Sequence, residues 1–581
     1  MSLRHRTSPR WLGALTTVMA KLARPLLAGW LVSFITLAPV TIQAATTPPP
    51  PGAGSILQQV QPAAPPAPAS NDTGLKIEAA ASGTPPPSAP FLVNALLISG
   101  NTLFDTPTLH ALVAEAEGRT LTLPELHAFV ARLSDYYHAH GYPLARAIVP
   151  AQTIASGIVR IDIIEARYGQ IAVENSSRVT DHLLHSTLSS LHSGQPIEQS
   201  TLDHALLLLS DIPGVAVDAT LKPGEAVGTS ELAVIAAPTP TVAGSAALDN
   251  FGNRYTGRAR IGGTLEAIDP LRHGDVLSLS GLSSGGDMNY GRLGYDTLLD
   301  GAGTRVGLAY SALHYRLGDP LSALDAHGTA EVTSLWAKQP LVRSPDLNLY
   351  GQLQYDRLQL HDHIDASAII TDRHLGNATA SLTGDARDVL LSGGHTGWNV
   401  GITRGQVEFD NLAAQAVNAV TARSDGHFTK WTASLDRLQA LGPTNSVYVA
   451  VSGQWANRNL DASQQLVEGG IYTVRAYDMG ALSADTGYLE TAELRHDLGA
   501  AWQGHWQALA FLDSAQLTVD KNPWEAGKNS ATLSGAGIGL NWTGSHRWSA
   551  KSAIAARLGA TPKLVADTSA VRAWIELDKV F

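Results

Sequence analysis

The sequence predicts two small α+β domains followed by a closed antiparallel β-barrel of about 16 strands in a membrane. Three observations predict it. The N-terminus is basic, then apolar, then rich in proline. Two successive stretches repeat the order β-α-α-β-β. After about Thr241, helical periodicity gives way to short alternating segments separated by Gly, Asp and Asn.

The first 44 residues carry Arg4, Arg6, Arg10, Lys21 and Arg24 and no acid. Pro25 to Val40 is apolar but short for a spanning helix. Ile42-Gln43-Ala44-Ala45 offers small residues for cleavage, so 1–44 reads as a secretion signal. Residues 45–90 read as an extended linker, because 12 of the 31 prolines fall within 46–90. One island interrupts the linker, Gly54-Ser55-Ile56-Leu57-Gln58-Gln59-Val60-Gln61. Ser55 can cap a short amphipathic helix there, with Ile56, Leu57 and Val60 on one face. From Pro62 to Pro90 the linker has 29 residues and reaches about 90 Å in polyproline form. That is more than the thickness of a bilayer, so the island could plug a pore.

Residues 91–167 form the first unit. Phe91 to Ser99 is strand-like. Thr106-Pro107 reads as an N-cap and first helical residue, and Gly118 as the stop. Pro124 opens a second helix with Leu126, Phe129, Val130, Leu133 and Tyr137 at helical spacing, ended by Gly141. Strands follow near Ala145–Pro150 and Gly157–Ala166. Residues 168–240 repeat the order: a strand at Ile171-Ala172-Val173, helices over Leu183–Leu191 and Thr201–Ser210, and strands over Val215–Leu221 and Ser230–Ala236. Recurrence of one topology implies tandem small domains.

The remaining 241–581 is the predicted barrel. Its last segment places Val571, Ala573, Ile575, Leu577 and Phe581 on one face and Arg572, Glu576 and Asp578 on the other. Apolar out and polar in is the pattern of a transmembrane barrel; Trp574, Lys579 and Val580 break it. No later run of 18 apolar residues offers a spanning helix, and only helices and closed barrels satisfy their backbone in lipid.

Charge and composition exclude other classes. Without the first 44 residues, 35 bases stand against 51 acids, a balance that repels phosphate backbones, so no nucleic-acid partner is expected. The absence of cysteine removes disulfides and thiolate metal sites. No cofactor and no catalytic activity are expected. Gly281-Leu282-Ser283-Ser284-Gly285 fits a nucleophile elbow only on paper, because it lies between alternating segments. Gly535-Ala536-Gly537-Ile538-Gly539 has the wrong spacing for a dinucleotide loop. His361-Asp362-His363 lacks an evident third ligand, so it reads as a polar hairpin end and no metal is expected.

Several motifs, in order along the chain, carry a resemblance. In the first unit they are Gly100-Asn101-Thr102, Tyr136-Tyr137, Gly141-Tyr142 and Ile148-Val149-Pro150-Ala151-Gln152. In the second they are Asp211-Ile212-Pro213-Gly214-Val215, Leu221-Lys222-Pro223-Gly224 and Gly228-Thr229-Ser230-Glu231-Leu232. Leu248-Asp249-Asn250-Phe251-Gly252-Asn253-Arg254-Tyr255-Thr256-Gly257 opens the barrel. Together they resemble the TpsB transporters of two-partner secretion, the ShlB/FhaC/HecB exporters of haemolysins and haemagglutinins in Gram-negative bacteria. The resemblance implies two tandem POTRA domains in the periplasm, a barrel in the outer membrane, insertion by the barrel-assembly machinery, and export of an unfolded, β-helical partner. A barrel-assembly insertase of the same superfamily and a passive porin stay open as alternatives.

Two further motifs carry the implied mechanism. Gly469-Gly470-Ile471-Tyr472-Thr473-Val474-Arg475-Ala476-Tyr477 is similar to the tip of the long loop that folds back into the family's barrel. Phe511-Leu512-Asp513-Ser514-Ala515 is similar to a barrel-wall motif. The resemblance implies that Arg475 pairs with Asp513 inside the lumen, flanked by Val474, Ala476, Tyr477 and Phe511. A lumenal guanidinium needs a carboxylate, and a bidentate pair can pin a loop; such a pair is expected to stay partly hydrated. Ala476 and Ala515 stand where the family has glycine, which puts the local backbone in question. The sequence does not name the exported partner.

Overall fold

The computed structural model describes residues 50–60, 71–78, 88–154, 156–566 and 568–581. The secretion signal expected over 1–44 and much of the linker lie outside the described residues. Everything described falls within one unit, 48–581.

The chain enters as helix α1, Ala53–Val60, then strand β1, Leu75–Ile77. The first α+β domain contains β2 (Phe91–Val93), β3 (Ala95–Ser99), α2 (Thr106–Val113), β4 (Arg119–Leu121), α3 (Leu123–Ala139), β5 (Arg146–Ile148) and β6 (Ile158–Ile164). Asp105, not Thr106, caps α2: its side chain accepts from the Thr108 amide at 3.3 Å. Thr122 and Glu125 form a capping box at the start of α3, with the Thr122 amide donating to Glu125 at 2.7 Å. The buried stripe Leu126, Val130, Leu133 and Tyr137 packs on Val159, Ile161 and Ile163 of β6. β3 lies parallel and β5 antiparallel to the central β6. β4, which pairs with β2, has too short a pattern to read from sequence.

One carboxylate organises this domain. Glu165 accepts from the amides of Thr102 and Leu103 at 2.6 and 2.8 Å, from the Tyr137 hydroxyl at 2.9 Å, and from the Thr102 hydroxyl. The Asn-Thr and Tyr-Tyr motifs therefore meet at a buried acid that no motif includes.

The second domain contains β7 (Arg167–Asn175), α4 (Asp181–Thr187), α5 (Gln199–Ser210), β8 (Val215–Pro223) and β9 (Thr229–Pro238). Its sheet runs β1-β8-β9-β7. The outer strand comes from the proline-rich segment: β1 runs parallel to β8, from Leu75 opposite Ala219 to Ile77 opposite Leu221. The sequence expects extended linker here. Three residues carry no readable alternation, and the available edge of β8 supplies the ladder.

Sixteen strands close the barrel, from Val242–Asp249 to Val571–Val580. All neighbours are antiparallel, and the closing seam runs from Ser245 opposite Val580 to Asp249 opposite Glu576. Among the described residues no helix is long and apolar enough to cross a membrane; the strands do so. Leu335, Leu353, Tyr355 and Leu382 point outward and are exposed. The inward face departs from the simple rule. Leu313, Ala330, Val332, Leu358, Leu360, Leu375, Val407 and Phe428 are buried inward, because they pack against Ala53, Ile56, Leu57 and Val60 of α1 rather than facing water.

The second domain docks on the barrel through Arg343, at the end of strand Ala326–Arg343. Its guanidinium reaches both oxygens of Asp211 at 2.7 and 2.8 Å, Asn348 at 3.0 Å and Asn71 of the linker at 3.1 Å. Asp211 opens the Asp-Ile-Pro-Gly-Val motif, so that motif serves docking as well as the turn into β8.

Burial raises the Glu165 carboxyl, but its hydrogen bonds from Thr102, Leu103 and Tyr137 outweigh burial and hold it below the ordinary carboxylate value of 4.5. A depressed value means that its stabilisation is full above about pH 4.5 and is lost as the pH falls through the folded value. Glu165→Gln is expected to lower the amide protection factors of α2 and α3, taken relative to intrinsic exchange at each pH, at about pH 7, and to abolish most of their difference between about pH 7 and pH 3.5. Exchange that is unchanged by the substitution would show that the acid is not the organising contact.

Candidate functional site: the filled lumen

The loop 457–485 leaves the rim opposite the α+β domains and folds back into the barrel. Arg475 sits at its tip, 7 % exposed, and Asp513 on the strand Gly504–Thr518 is fully buried. The Arg475 Nε and Nη2 atoms donate to the two Asp513 oxygens at 2.8 and 2.6 Å. The Arg475 amide adds a third bond to Asp513 at 3.2 Å, and the Thr491 hydroxyl a fourth. The remaining Nη1 donates to Glu493 at 2.6 Å. Glu493 in turn accepts from Arg495 at 2.6 and 2.8 Å. A ladder of alternating charge thus runs from loop to wall. The Phe511 ring lies against the guanidinium, with its centroid 3.5 Å from Cζ.

The expectation of a partly hydrated pair does not hold. The strands around Asp513 and the loop exclude water, so this is a buried ion network. Breaking such a pair costs about 3–5 kcal/mol, because the surviving charge is left buried and unpaired.

Val474, Ala476 and Tyr477 are all buried in the cluster that also holds Phe511 and Trp574. The Trp574 indole donates to the Arg475 carbonyl at 2.8 Å. This explains why Trp574 breaks the alternation of the last strand: its lumenal side faces the loop. Asp478 extends the network by accepting from Arg572 at 2.7 Å and pairing with Arg258 at 3.0 Å. Trp574 and Asp478 are the contributors that motif reading misses, and a bulky aromatic on the polar face was the available signal. Glu493 belongs to the strand Gly487-Tyr488-Leu489-Glu490 onward, where the motif reading expects acids facing the lumen.

The two alanines are accommodated. Neither Ala476 nor Ala515 has positive φ among the described residues, so neither position needs glycine's backbone. The space for the Ala476 methyl comes from the neighbouring wall. A Cβ built on Gly535 would stand 2.4 Å from that of Ala476.

Ile56 (1 %), Leu57 (1 %) and Val60 (8 %), the residues expected to plug the pore, are buried against the inner wall. Helix α1 starts before the expected cap. Ser55 donates to the Gly52 carbonyl at 3.0 Å. The helix N-terminus is instead met by a wall residue: the Ala53 amide donates to Asp362 at 2.7 Å. Asp362 also accepts from Arg373 at 2.7 Å, and Arg373 donates to Asp461 of the loop at 2.5 Å. Gln58 donates to the Ser463 carbonyl, and Gln59 accepts from Asn253 at 3.0 Å. Helix α1, wall and loop form one network.

A family model for the haemolysin secretion/activation protein ShlB/FhaC/HecB matches residues 228–542, more than half of the chain. The chain belongs to this family. A ShlB-type POTRA domain model matches 91–166. The chain is 28 % identical over 449 residues to the heme/hemopexin transporter protein HuxB of Haemophilus influenzae (strain 86-028NP), covering 75 % of this chain and 78 % of that one. It is 26 % identical over 474 residues to the outer membrane transporter CdiB of Escherichia coli, covering 78 % and 77 %. The solved structure of CdiB from Escherichia coli has the same fold, with a TM-score of 0.68 at 23 % identity over 88 % of this chain and 94 % of that one. The chain is thus an outer-membrane translocator whose POTRA domains lie in the periplasm, and its family relatives imply a secreted partner protein. The family consists of transporters.

Two outcomes test the geometry. Arg475→Ala leaves the Asp513 carboxylate without a cation, with only the Thr491 hydroxyl and the amide of residue 475 as donors, whereas Asp513→Ala leaves Arg475 paired with Glu493. The arginine variant is therefore expected to lose about 3–5 kcal/mol in thermal unfolding and the aspartate variant less. The double variant should be less destabilised than the sum; additive losses contradict the pair. Gly535→Ala is expected to cost about 1–3 kcal/mol by overpacking, and Ala476→Gly in the same chain should recover most of it. Failure of that rescue, with the barrel heat-modifiable, would contradict the close approach.

Proposed function

We propose that this translocator captures an extended segment of its secreted partner on the edge of β8 and threads the unfolded chain through the barrel once α1 and the loop have yielded. The observation that carries this reading is β1, a segment of the chain's own linker held on β8 as an added strand. An edge that accepts Leu75-Lys76-Ile77 through backbone bonds can accept another extended segment in the same way. β1 then acts as a competitor. It also shortens the tether of the plug: from Val60 to Leu75 the chain spans at most about 50 Å, so undocking β1 lengthens the reach of α1 from 15 residues to the whole linker. Partner capture and plug release are coupled through that strand.

In this reading, residues 1–44 direct secretion, 45–90 carry plug and linker, 91–167 and 168–240 are the two POTRA domains, and 241–581 is the barrel inserted by the assembly machinery. Arg475 and Asp513 lock the loop, with Val474, Ala476, Tyr477 and Phe511 packing the lock; Ile56, Leu57 and Val60 seal the pore. The partner is a β-helical protein of the two-partner type, and its folding outside the cell drives export. The chain needs no cofactor and performs no catalysis.

Binding of a synthetic N-terminal segment of the partner to the full chain in detergent micelles tests the capture step. Lys76→Pro removes the amide of β1 that donates into the β8 ladder, and the segment should then bind several-fold more tightly than to the unaltered chain. Equal affinity would sink competition at β8. Ile56→Asp with Leu57→Asp should raise single-channel conductance in planar bilayers; unchanged conductance would remove the plug role.

A further inference from the structure

We propose that the outer wall of the barrel, at the external rim, carries a binding site for a divalent transition-metal ion of the zinc type, with His327, His363 and Asp365 as ligands. The site lies apart from the lumen and from the transport path.

The strand alternation decides which residues can take part. His361, Asp362 and His363 are consecutive near the end of the strand Leu347–Ile364. Asp362 points inward, where it holds α1 and Arg373. His361 and His363 point outward, on the face that carries the exposed Leu353 and Tyr355 nearer the membrane. The sequence motif is therefore split, and the partner of His363 comes from the preceding strand, Ala326–Arg343. His327 stands directly opposite it in the antiparallel register, and the two imidazole rings have centroids 5.5 Å apart. Asp365 follows in the turn after His363 and is exposed. One ligand atom from each of the three lies within 4.8 Å of the others.

A tetrahedral zinc ion needs its ligand atoms about 3.3 Å apart. The exposed Asp365 carboxylate can close the difference by rotation. Two imidazoles and a carboxylate form a donor set suited to zinc and its neighbours, with a fourth position left for water.

The surroundings are arranged as they are around metal-bound histidines. His327 Nδ1 lies 3.1 Å from the Asp325 carbonyl. Donation there leaves Nε2 with its lone pair outward, the tautomer that a metal requires. Asp372 lies 2.9 Å from His361 Nδ1 and 3.7 Å from His363 Nε2, a second carboxylate beside the ligand. A bound ion would tie the start of one strand to the turn that follows its neighbour.

The test uses the full chain without a histidine tag, in detergent micelles, titrated with Zn2+ against a chromophoric chelator. One saturable equivalent is expected. His327→Ala and His363→Ala should each weaken it at least tenfold, while His505→Ala at the opposite rim leaves it unchanged. Co2+ supplies a readout that needs no variant: the unaltered chain should develop a saturable visible band complete at one equivalent. No saturable equivalent with either ion, or Zn2+ affinity unchanged in both ligand variants, would overturn the assignment.

Discussion

A guanidinium buried between two carboxylates sets where the contents of the barrel lie. Arg475 has no solvent to retreat to, and its Nε, Nη1 and Nη2 donors meet Asp513 and Glu493 in a fixed fork. That geometry holds the tip of the loop 457–485 deep in the lumen. The rest of the loop then presents Asp461 to Arg373 and the Ser463 carbonyl to Gln58. Helix α1 rests on this floor. The strand β1, the edge of β8 and the docking of Asp211 on Arg343 follow along the chain toward the periplasm. The loop, helix α1, β1 and β8 thus form one series, joined by contacts and by the chain itself.

Two kinds of interaction hold the contents of the lumen. A buried ion network is a weak source of net stability, because desolvation offsets most of the attraction, but it is costly to leave half-made. The loop is accordingly held in a well-defined position more than it is held tightly. The apolar contacts of α1 behave differently. Ile56, Leu57 and Val60 bury surface without direction, and the helix has only eight residues. Its location depends on Asp362 at its N-terminus and on the loop beneath it.

Much of this was legible in the sequence. The two βααββ units, the strand number and the pairing partners Arg475 and Asp513 follow from periodicity and from motif resemblance. What escaped has physical causes. β1 and β4 are three residues long, too short to show a period, and exist because an adjacent edge is open. The inward apolar wall from Leu313 to Phe428 blurs alternation because a helix, and not water, lies against it. Ser55 looked like a cap because local sequence cannot show that Asp362, more than 300 positions away, occupies that end of the helix. The alanines at 476 and 515 raised a question about backbone geometry: neither has positive φ, and Gly535 in the wall provides the space for the Ala476 methyl.

The absence of cysteine from the chain permits a direct test of whether these charges hold the loop tip. Val474 is fully buried beside Arg475, and Val474→Cys introduces a single thiol of similar size. Its rate of reaction with a membrane-impermeant maleimide should be very slow in the otherwise unaltered chain. In a chain that also carries Asp513→Asn and Glu493→Gln it should rise by at least about tenfold, as the loop tip leaves the wall. Equal rates in the two chains would contradict the account, because the loop would then keep its place without the charges.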